Sequence, residues 1–388
     1  MSVEEVRKNA WAAIDADHEN MLQLWQEFVN VDCGTGNKAG VDSIGAKVEK
    51  ILQGLGFKTR QVQFENAGNT LVGELGDMSK PFVIFTGHMD TVFKDGTAAE
   101  RPFTIKDGKA YGPGCLDMKG GIVIFLSVLK ALLAQGYNTH PIKIILAGDE
   151  ETGHANSKGQ AAEAIMAESK GAFAAFNFET GFEDGGLVVE RKGVWQFTLE
   201  AYGRSAHVGN DPENGRSAIM EICHKAIDVN ALTNWDTGCT FNVGIIEGGT
   251  VSNAVPAYAK IKCDMRYSDF KYVAEMKQRV QEIADKQYVP DTKTVFTSLT
   301  EFRNMQQVAG TQDLFELVRA AALEAGLPAP TPKAVGGGSD SAYTTAAGVP
   351  TICAMGVQGA RNHTPEEYAV VDTLFSRAKL LIAVMTKI

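Results

Sequence analysis

Histidines and carboxylates that could bind a metal ion or transfer protons follow apolar, strand-like runs at four places in this chain. They occur in the segments GHMDTV, GDEETG, NFETG and ARNHTPEE, and one more carboxylate lies in GPGCLDMKGG. The residues are His88, Asp90, Asp117, Asp149, Glu150, Glu151, Glu179 and His363. In open α/β sheets, ligands bind beyond the carboxyl ends of the strands. We therefore expect these residues to converge, although they are far apart in the sequence.

This mixture of donors is typical of a site for divalent cations. Imidazole nitrogens and carboxylate oxygens suit Zn²⁺, and Co²⁺ or Mn²⁺ accept the same donors. Three such ligands hold one ion, and five with a shared carboxylate can hold two ions about 3.5–4 Å apart. Asp90 lies two residues after His88, so its carboxylate could accept the second imidazole N–H and fix the tautomer. Taken singly, a histidine after a strand is usually a turn residue and paired glutamates are usually solvated, but the signals together favour the metal site.

The elements that must position these residues follow an alternating pattern. Nearly continuous apolar runs at 82–85, 142–147, 173–178 and 351–355 are separated by helical patterns such as 122–133. Such runs predict strands that are buried on both faces, and the alternation predicts an α/β fold with a mixed, mostly parallel sheet. Before them, residues 12–31 and 41–55 are expected to be helical.

The middle of the chain, residues 189–302, has a different pattern. Apolar and polar residues alternate along 194–202 and 259–266, which predicts strands with one solvated face. Amphipathic helices near 218–229 and 272–287 would cover the other face. We therefore predict a first domain built from residues 1–188 and 303–388, with an α+β domain inserted at 189–302. The strand at 194–202 is a candidate exposed edge that could pair with a second copy of the chain.

Composition excludes several function classes. The chain has 388 residues, enough for roughly two or three domains. Its net charge of −10, from 37 basic and 47 acidic residues, disfavours nucleic acid or an anionic membrane as a partner. No apolar run reaches the ~18 residues of a membrane span, and the N-terminal residues lack a signal-peptide pattern. The six scattered cysteines are expected to be reduced, so we predict a cytoplasmic protein.

Five segments resemble a known family. GHMDTV, GPGCLDMKGG, GDEETG, GRSAHVGNDPENG and GGGSD are similar, in order and spacing, to the motifs of the M20 family of dinuclear zinc metallopeptidases and amidohydrolases, especially its glutamate carboxypeptidase-like members. The resemblance spans the whole chain. It implies a catalytic α/β domain with an inserted lid domain that usually forms a dimer, here a homodimer. The implied metal ligands are His88 and Glu179 for one ion, Glu151 and His363 for the other, and Asp117 as the bridge.

The resemblance also implies catalytic roles outside the ligand set. Glu150 would be the general base that takes a proton from the attacking water and returns it to the leaving amine. A zinc ion lowers the pKa of water from about 15.7 to about 7, so this chemistry can run at neutral pH. His207 in RSAHVG is the candidate donor to the developing oxyanion, often supplied across the dimer in this family. The chain departs from the family at His154, where a small polar residue is common, and we expect this histidine to pack or hydrogen-bond locally.

Substrate recognition is predicted from three further positions. Arg266 in CDMRY lies on the polar face of its strand, where it either clamps a substrate carboxylate or is simply solvated, and the resemblance favours the clamp. Asn253 in GGTVSNAVP is a second candidate. Gly337, in the run of three glycines, could let the backbone approach a substrate. Together these features predict hydrolysis of an amide or peptide bond next to a free C-terminal carboxylate, in a small peptide or N-acyl amino acid.

Two alternatives stay open. Within the same family, the protein could be a deacylase that acts on an N-acyl amino acid or an acylated diamino acid. It could instead be a metal-free binding or regulatory relative. Such a relative would be expected to lack a ligand, whereas all five implied ligands and Glu150 are present.

Overall fold

The computed structural model describes residues 1–388. The helices are α1 (Val3–Ala16), α2 (His18–Val29), α3 (Lys38–Gly54), α4 (Thr97–Glu100), α5 (Gly120–Ala134), α6 (Gln160–Ser169), α7 (Ala218–Ala231), α8 (Val273–Asp285), α9 (Thr311–Glu324), α10 (Ser341–Ala346) and α11 (Val371–Met385). The strands are β1 (Lys58–Val62), β2 (Gly68–Leu75), β3 (Phe82–His88), β4 (Thr104–Lys106), β5 (Lys109–Tyr111), β6 (Ile142–Gly148), β7 (Ala172–Asn177), β8 (Gly181–Phe182), β9 (Leu187–Arg191), β10 (Gly193–Tyr202), β11 (Thr240–Gly248), β12 (Tyr258–Tyr267), β13 (Lys293–Phe302), β14 (Pro332–Val335), β15 (Thr351–Ile352), β16 (Gln358–Ala360) and β17 (Tyr368–Val370).

The chain divides into two units. The first contains Met1–Glu190, Met305–Val335 and Ser339–Ile388, and the second contains Arg191–Asn304 and Gly336–Gly338. These boundaries lie two residues after the predicted ones. The three glycines of the GGG run belong to the second unit, whereas the sequence pattern placed them in the first.

The first unit is built on a six-stranded sheet with the order β1-β2-β6-β3-β7-β15. Strands β6, β3, β7 and β15 run parallel, while β1 and β2 are antiparallel to their neighbours. Every residue of β3 and β6 is buried, as their apolar runs predicted. The mixed, mostly parallel α/β sheet is therefore confirmed. A smaller sheet with the order β4-β5-β17-β16-β8 also belongs to this unit.

Helix α5 forms the centre of the helical layer. Apart from Ser127 and Lys130 it is apolar, and 12 of its 15 residues are buried, which is typical of a helix surrounded by other elements. It packs against α1, α2 and α11. The predicted helix at 12–31 is two helices, because Asp17, with φ −106° and ψ 9°, ends α1 and begins α2.

The last apolar run, 351–355, forms a strand only over Thr351–Ile352. Ala354 has a φ of +65°, which no strand residue adopts, so the run turns away from the sheet there. Cys353 exchanges backbone hydrogen bonds with Val188 instead.

The second unit is an antiparallel sheet with the order β11-β12-β10-β13. Trp195, Phe197 and Leu199 of β10 are fully buried in a core that α7 and α8 share. The prediction that residues 194–202 form an exposed edge is wrong, because β10 pairs with β12 on one side and with β13 on the other. Alternation reports which face of a strand is buried and carries no information about its edges. The edges are β11 and β13.

None of the helices combines the length and the apolarity needed to cross a bilayer.

Candidate metal centre

Three neighbouring strands bring three of the five predicted ligands, together with Glu150, to one end of the large sheet. Strands β6, β3 and β7 are parallel, so their carboxyl ends meet. His88 is the last residue of β3, Glu150 and Glu151 follow β6, and Glu179 follows β7. The expectation that polar residues after buried strands converge is met for these four.

The ligand atoms form two groups that share Asp117. In the first group, His88 Nε2 lies 3.1 Å from Asp117 Oδ1 and 3.4 Å from Glu179 Oε1. In the second, His363 Nε2 lies 3.2 Å from Asp117 Oδ2 and 3.1 Å from Glu151 Oε2. Within each group the ligand atoms are within 4.8 Å of one another. Asp117 thus presents one carboxylate oxygen to each group, which is the arrangement expected of a bridging ligand.

The residues present fit a pair of divalent cations. Asp117, Glu150, Glu151 and Glu179 are carboxylates at one place with little exposure to solvent. Burial raises the pKa of Glu150 well above its ordinary value. Burial and the nearby charge of Asp117 raise the pKa of Glu151 to about 7. Glu151 Oε1 is also buried without a hydrogen-bond partner. Bound cations would offset this concentration of buried negative charge.

Glu150 lies beside the first group rather than inside it. Its Oε2 is 4.0 Å from His88 Nε2, and its backbone N–H donates to Asp90 Oδ1 at 3.1 Å. The carboxylate is therefore close to the ligand groups without belonging to either of them. This position suits a proton-transferring group better than a ligand.

Asp90 supports both sides of the site. The His88 ring places Nδ1 3.0 Å from the carbonyl oxygen of Asp90 and 3.5 Å from its Oδ1. The hydrogen-bond acceptor is thus mainly the Asp90 carbonyl, whereas we had expected the Asp90 carboxylate. The carboxylate is occupied by the backbone N–H groups of Glu150 and Glu151 and by the Thr35 hydroxyl. Asp90 therefore ties the end of β3 to the turn after β6.

The loop around Asp117 is held by a carboxylate that was not among the predicted site residues. Glu367 is fully buried and accepts backbone N–H groups from Gly114 at 3.2 Å, Leu116 at 2.8 Å and Asp117 at 3.0 Å. Its only sequence signal is its place four residues after His363, in a Glu-Glu pair that resembles a solvated loop.

His154 is also part of this region. It is fully buried, with Nδ1 3.0 Å from Asp149 Oδ1 and Nε2 2.7 Å from Asp340 Oδ1. Burial alone would lower the pKa of His154, but the two carboxylates raise it to about 10. One partner is local, as expected, and the other is 186 residues away.

The remaining predicted residues lie in the second unit. His207 Nδ1 accepts the backbone N–H of Gly209 at 3.1 Å, so a neutral His207 carries its proton on Nε2 and can donate from that nitrogen. The next residue, Val208, donates its N–H to the carbonyl oxygen of Asn253 at 3.2 Å. His207 and Asn253 are therefore on neighbouring segments.

Arg266 is partly engaged by its own unit. Nε and Nη2 donate to Asp264 at 2.7 and 3.2 Å, and Nη1 donates to the carbonyl of Gly336 at 2.9 Å. Three of five donors are used, which leaves one N–H on each terminal nitrogen. Gly337 accepts a hydrogen bond from Arg191, and a Cβ added to Gly337 would meet nothing closer than 3.7 Å. The packing at Gly337 therefore does not itself require glycine.

A cavity of about 460 Å³ adjoins the second ligand group in the first unit. Its walls include Thr35, Val92, Phe93, Lys94, Glu151 and Thr152. The cavity is large enough for part of a small substrate next to Glu151.

Comparison with known proteins gives consistent matches along the chain. The model of peptidase family M20/M25/M40 matches residues 84–387. Carboxypeptidase G2 of Pseudomonas sp. (strain RS-16) is 29% identical over 373 residues, which cover 93% of this chain and 88% of that protein. A succinyl-diaminopimelate desuccinylase of Methylobacillus flagellatus is 28% identical over 284 residues, covering 68% and 73%. The crystal structure of aminopeptidase PepT from Bacillus cereus superposes with a TM-score of 0.77 at 25% identity, covering 95% of this chain and 98% of that one.

The matched range includes both ligand groups, from His88 to His363. The sheet order and the two groups of histidine and carboxylate ligands are consistent with this family match. The chain therefore belongs to peptidase family M20/M25/M40 and is a metal-dependent hydrolase of that family.

Proposed function

We propose that this protein is a carboxypeptidase-like hydrolase that cleaves an amide bond next to a free C-terminal carboxylate. The observation that carries the proposal is the bridged pair of ligand groups, with Glu150 beside them and outside both. The likeness to carboxypeptidase G2 over 93% of the chain supports the same activity. Small peptides or N-acyl amino acids are the proposed substrates.

The proposed cofactors are two divalent cations, for which we favour Zn²⁺ over Co²⁺ and Mn²⁺. Each group supplies one imidazole nitrogen and carboxylate oxygens, and this donor set suits all three metals. When bound, such ions polarise a carbonyl and lower the pKa of water toward neutrality. His88 and Glu179 would hold one ion, Glu151 and His363 would hold the other, and Asp117 would bridge them.

Glu150 is the proposed general base. Its carboxylate would accept a proton from the attacking water and pass it to the nitrogen of the leaving amine. The hydrogen bond from the Glu150 backbone N–H to Asp90 fixes the position of the Glu150 backbone, from which the side chain extends.

We further propose that the second unit supplies substrate contacts. His207 would donate from Nε2 to the developing oxyanion, across a dimer as the family resemblance implies. Arg266 would bind the substrate carboxylate through the two N–H groups that Asp264 and Gly336 leave unused. Asn253, beside the His207 segment, and the backbone at Gly337 are proposed as further substrate contacts.

Substrates in free-acid and amide form test the preference for a free carboxylate. We expect C-terminal amides to be poor substrates of the wild-type enzyme. Arg266→Ala should cost about 2–5 kcal/mol in kcat/KM on free-acid substrates and change amide hydrolysis little. Arg266→Lys should restore part of the loss, because an ammonium keeps the charge but lacks the planar fork.

Arg279→Ala is the matched control, because Arg279 is a half-exposed arginine on α8 that pairs with Glu275. Equal losses on free-acid and amide substrates would show that Arg266 supports the fold and not carboxylate recognition.

A second candidate function is the removal of an acyl group from an acylated diamino acid. The likeness to a succinyl-diaminopimelate desuccinylase favours it. The same ligand groups and Glu150 would perform the hydrolysis, so only the substrate panel separates the two. Faster hydrolysis of N-succinyl or N-acetyl diamino acids than of any peptide or N-acyl α-amino acid would support the deacylase.

We propose that the protein is a homodimer formed through the second unit. Strand β11 is an edge of its sheet, and Ile245 and Ile246 on that strand are exposed. Exposed edges with apolar side chains tend to pair. Sedimentation should give a dimer at micromolar concentration, and a monomer would contradict both the dimer and a role of His207 across it.

A cytoplasmic location is also proposed. All six cysteines are thiols, which supports a reducing compartment.

A further inference from the structure

His154 lies between two buried carboxylates, next to the turn that carries Glu150, and each of its ring nitrogens contacts one of them. Its Nδ1 lies 3.0 Å from Asp149 Oδ1, and its Nε2 lies 2.7 Å from Asp340 Oδ1. All three side chains are fully buried. Asp149 directly precedes Glu150, whereas Asp340 directly precedes α10 in a distant part of the sequence. The imidazole therefore connects the end of β6 to the start of α10.

Asp149 also accepts hydrogen bonds from the turn that follows Glu150. Its carbonyl oxygen accepts the backbone N–H of His154 at 3.1 Å and the hydroxyl of Thr152 at 3.3 Å. Its second carboxylate oxygen, Oδ2, accepts the N–H of Ser157 at 2.9 Å. Three residues that follow Glu150 are thus hydrogen-bonded to Asp149: Thr152, His154 and Ser157. A rotation of the Asp149 side chain would move the backbone from which Glu150 projects.

The Glu150 carboxylate has no hydrogen bond that would fix it directly. Its nearest charged partner is His88 Nε2, at 4.0 Å. Its direction is therefore set by its backbone, which Asp90 holds from one side and Asp149 from the other. A change that lets the Asp149 side chain move should alter the orientation of the Glu150 carboxylate while leaving both ligand groups in place.

We propose that His154 is a positioning residue for Glu150. Through Nδ1 it fixes Asp149 and hence the Glu150–Thr152 turn, and through Nε2 it is itself held by Asp340. This inference rests on the proposed role of Glu150 as the general base. It gives a function to the residue at which the chain departs from the family pattern.

Two substitutions at His154 test the contacts of its two ring nitrogens separately. The amide nitrogen of asparagine can replace Nδ1, so His154→Asn keeps the contact to Asp149 and loses the one to Asp340. The amide nitrogen of glutamine can replace Nε2, so His154→Gln does the reverse. We expect His154→Gln to lower kcat by ~10–100-fold with KM and bound metal near wild-type values, a range typical of partners that orient a catalytic site. His154→Asn should retain about tenfold more kcat than His154→Gln.

Stability should follow the opposite order, because His154→Asn leaves the buried Asp340 carboxylate without this partner. The melting temperature of His154→Asn should therefore be the lower of the two. A purely structural role would make kcat and melting temperature fall together. His224→Gln is the matched control, because His224 lies on α7 and stacks on Tyr288 in the other unit.

The Asp340 contact gives a second test if either His154 variant fails to fold. Asparagine can still accept the Nε2–H, so kcat of Asp340→Asn should exceed that of Asp340→Ala by about tenfold. Equal kcat values within each pair whose variants both fold, in a wild-type enzyme that is active, would overturn the positioning role alone. A wild-type protein without metal-dependent amide hydrolysis would overturn the proposed function and this inference with it.

Discussion

Glu150 and Glu151 are adjacent in the sequence but occupy different environments. Glu151 Oε2 lies 3.1 Å from His363 Nε2, within the second ligand group, whereas Glu150 stands 4.0 Å from His88 and has no hydrogen bond to its carboxylate. Glu150→Gln keeps the size of the side chain and removes the proposed base. We expect kcat to fall by ~10²–10⁴-fold with little change in KM and with bound metal retained.

Steady-state kinetics and metal analysis of the same preparation check this expectation. Asp107→Asn, a change in the turn between β4 and β5, serves as a carboxylate control outside the site. A Glu150→Gln enzyme with near-normal kcat would assign the proton transfer to another group.

Site residues could be predicted when the feature that indicates them lies next to them in the sequence. His88, Glu151 and Glu179 follow strands whose apolar runs are visible in the sequence, so their convergence could be expected. Glu367 could not be found in this way, because it acts on a backbone N–H 250 residues away, at Asp117. A buried glutamate that binds backbone groups and a solvated glutamate in a loop look the same in a sequence.

At the scale of elements, the loop that carries Asp117 depends on Glu367. The buried Glu367 carboxylate accepts three backbone N–H groups there, so Glu367→Gln replaces one accepting oxygen with a donor. We expect a loss of ~1–3 kcal/mol in the free energy of unfolding. Metal affinity should weaken by ~10–100-fold.

Urea unfolding and metal titration measure the two effects. Glu366→Gln is the matched control, because Glu366 is the exposed neighbour in the same loop. Equal behaviour of the two variants would mean that the loop around Asp117 holds its shape without Glu367.

The elements themselves were predicted best where they are long and uniform. The runs that became β3 and β6 are buried at every position, and α5 is apolar except at Ser127 and Lys130. Pairing was harder to predict, since β10 is a central strand although we predicted it as a candidate edge. Local backbone geometry was also hidden, because the positive φ of Ala354 shortens β15 and Asp17 divides the first predicted helix.

At the scale of the molecule, the site depends on the order of strands in the large sheet. Placing β6, β3 and β7 side by side and parallel brings His88, the Glu150–Glu151 pair and Glu179 to one edge. Asp117 and His363 then complete two groups with a shared carboxylate. The central claim is that these groups hold two divalent cations that the reaction requires.

Metal titration of the chelated wild-type protein tests this claim most directly, with bound metal and hydrolysis of an N-acyl amino acid followed together. We expect the metal-free protein to be inactive. Activity should return as Zn²⁺, Co²⁺ or Mn²⁺ is added, and binding should saturate at two ions per chain, as five ligands with one bridge imply. Full hydrolysis by a protein verified to be metal-free would contradict the account.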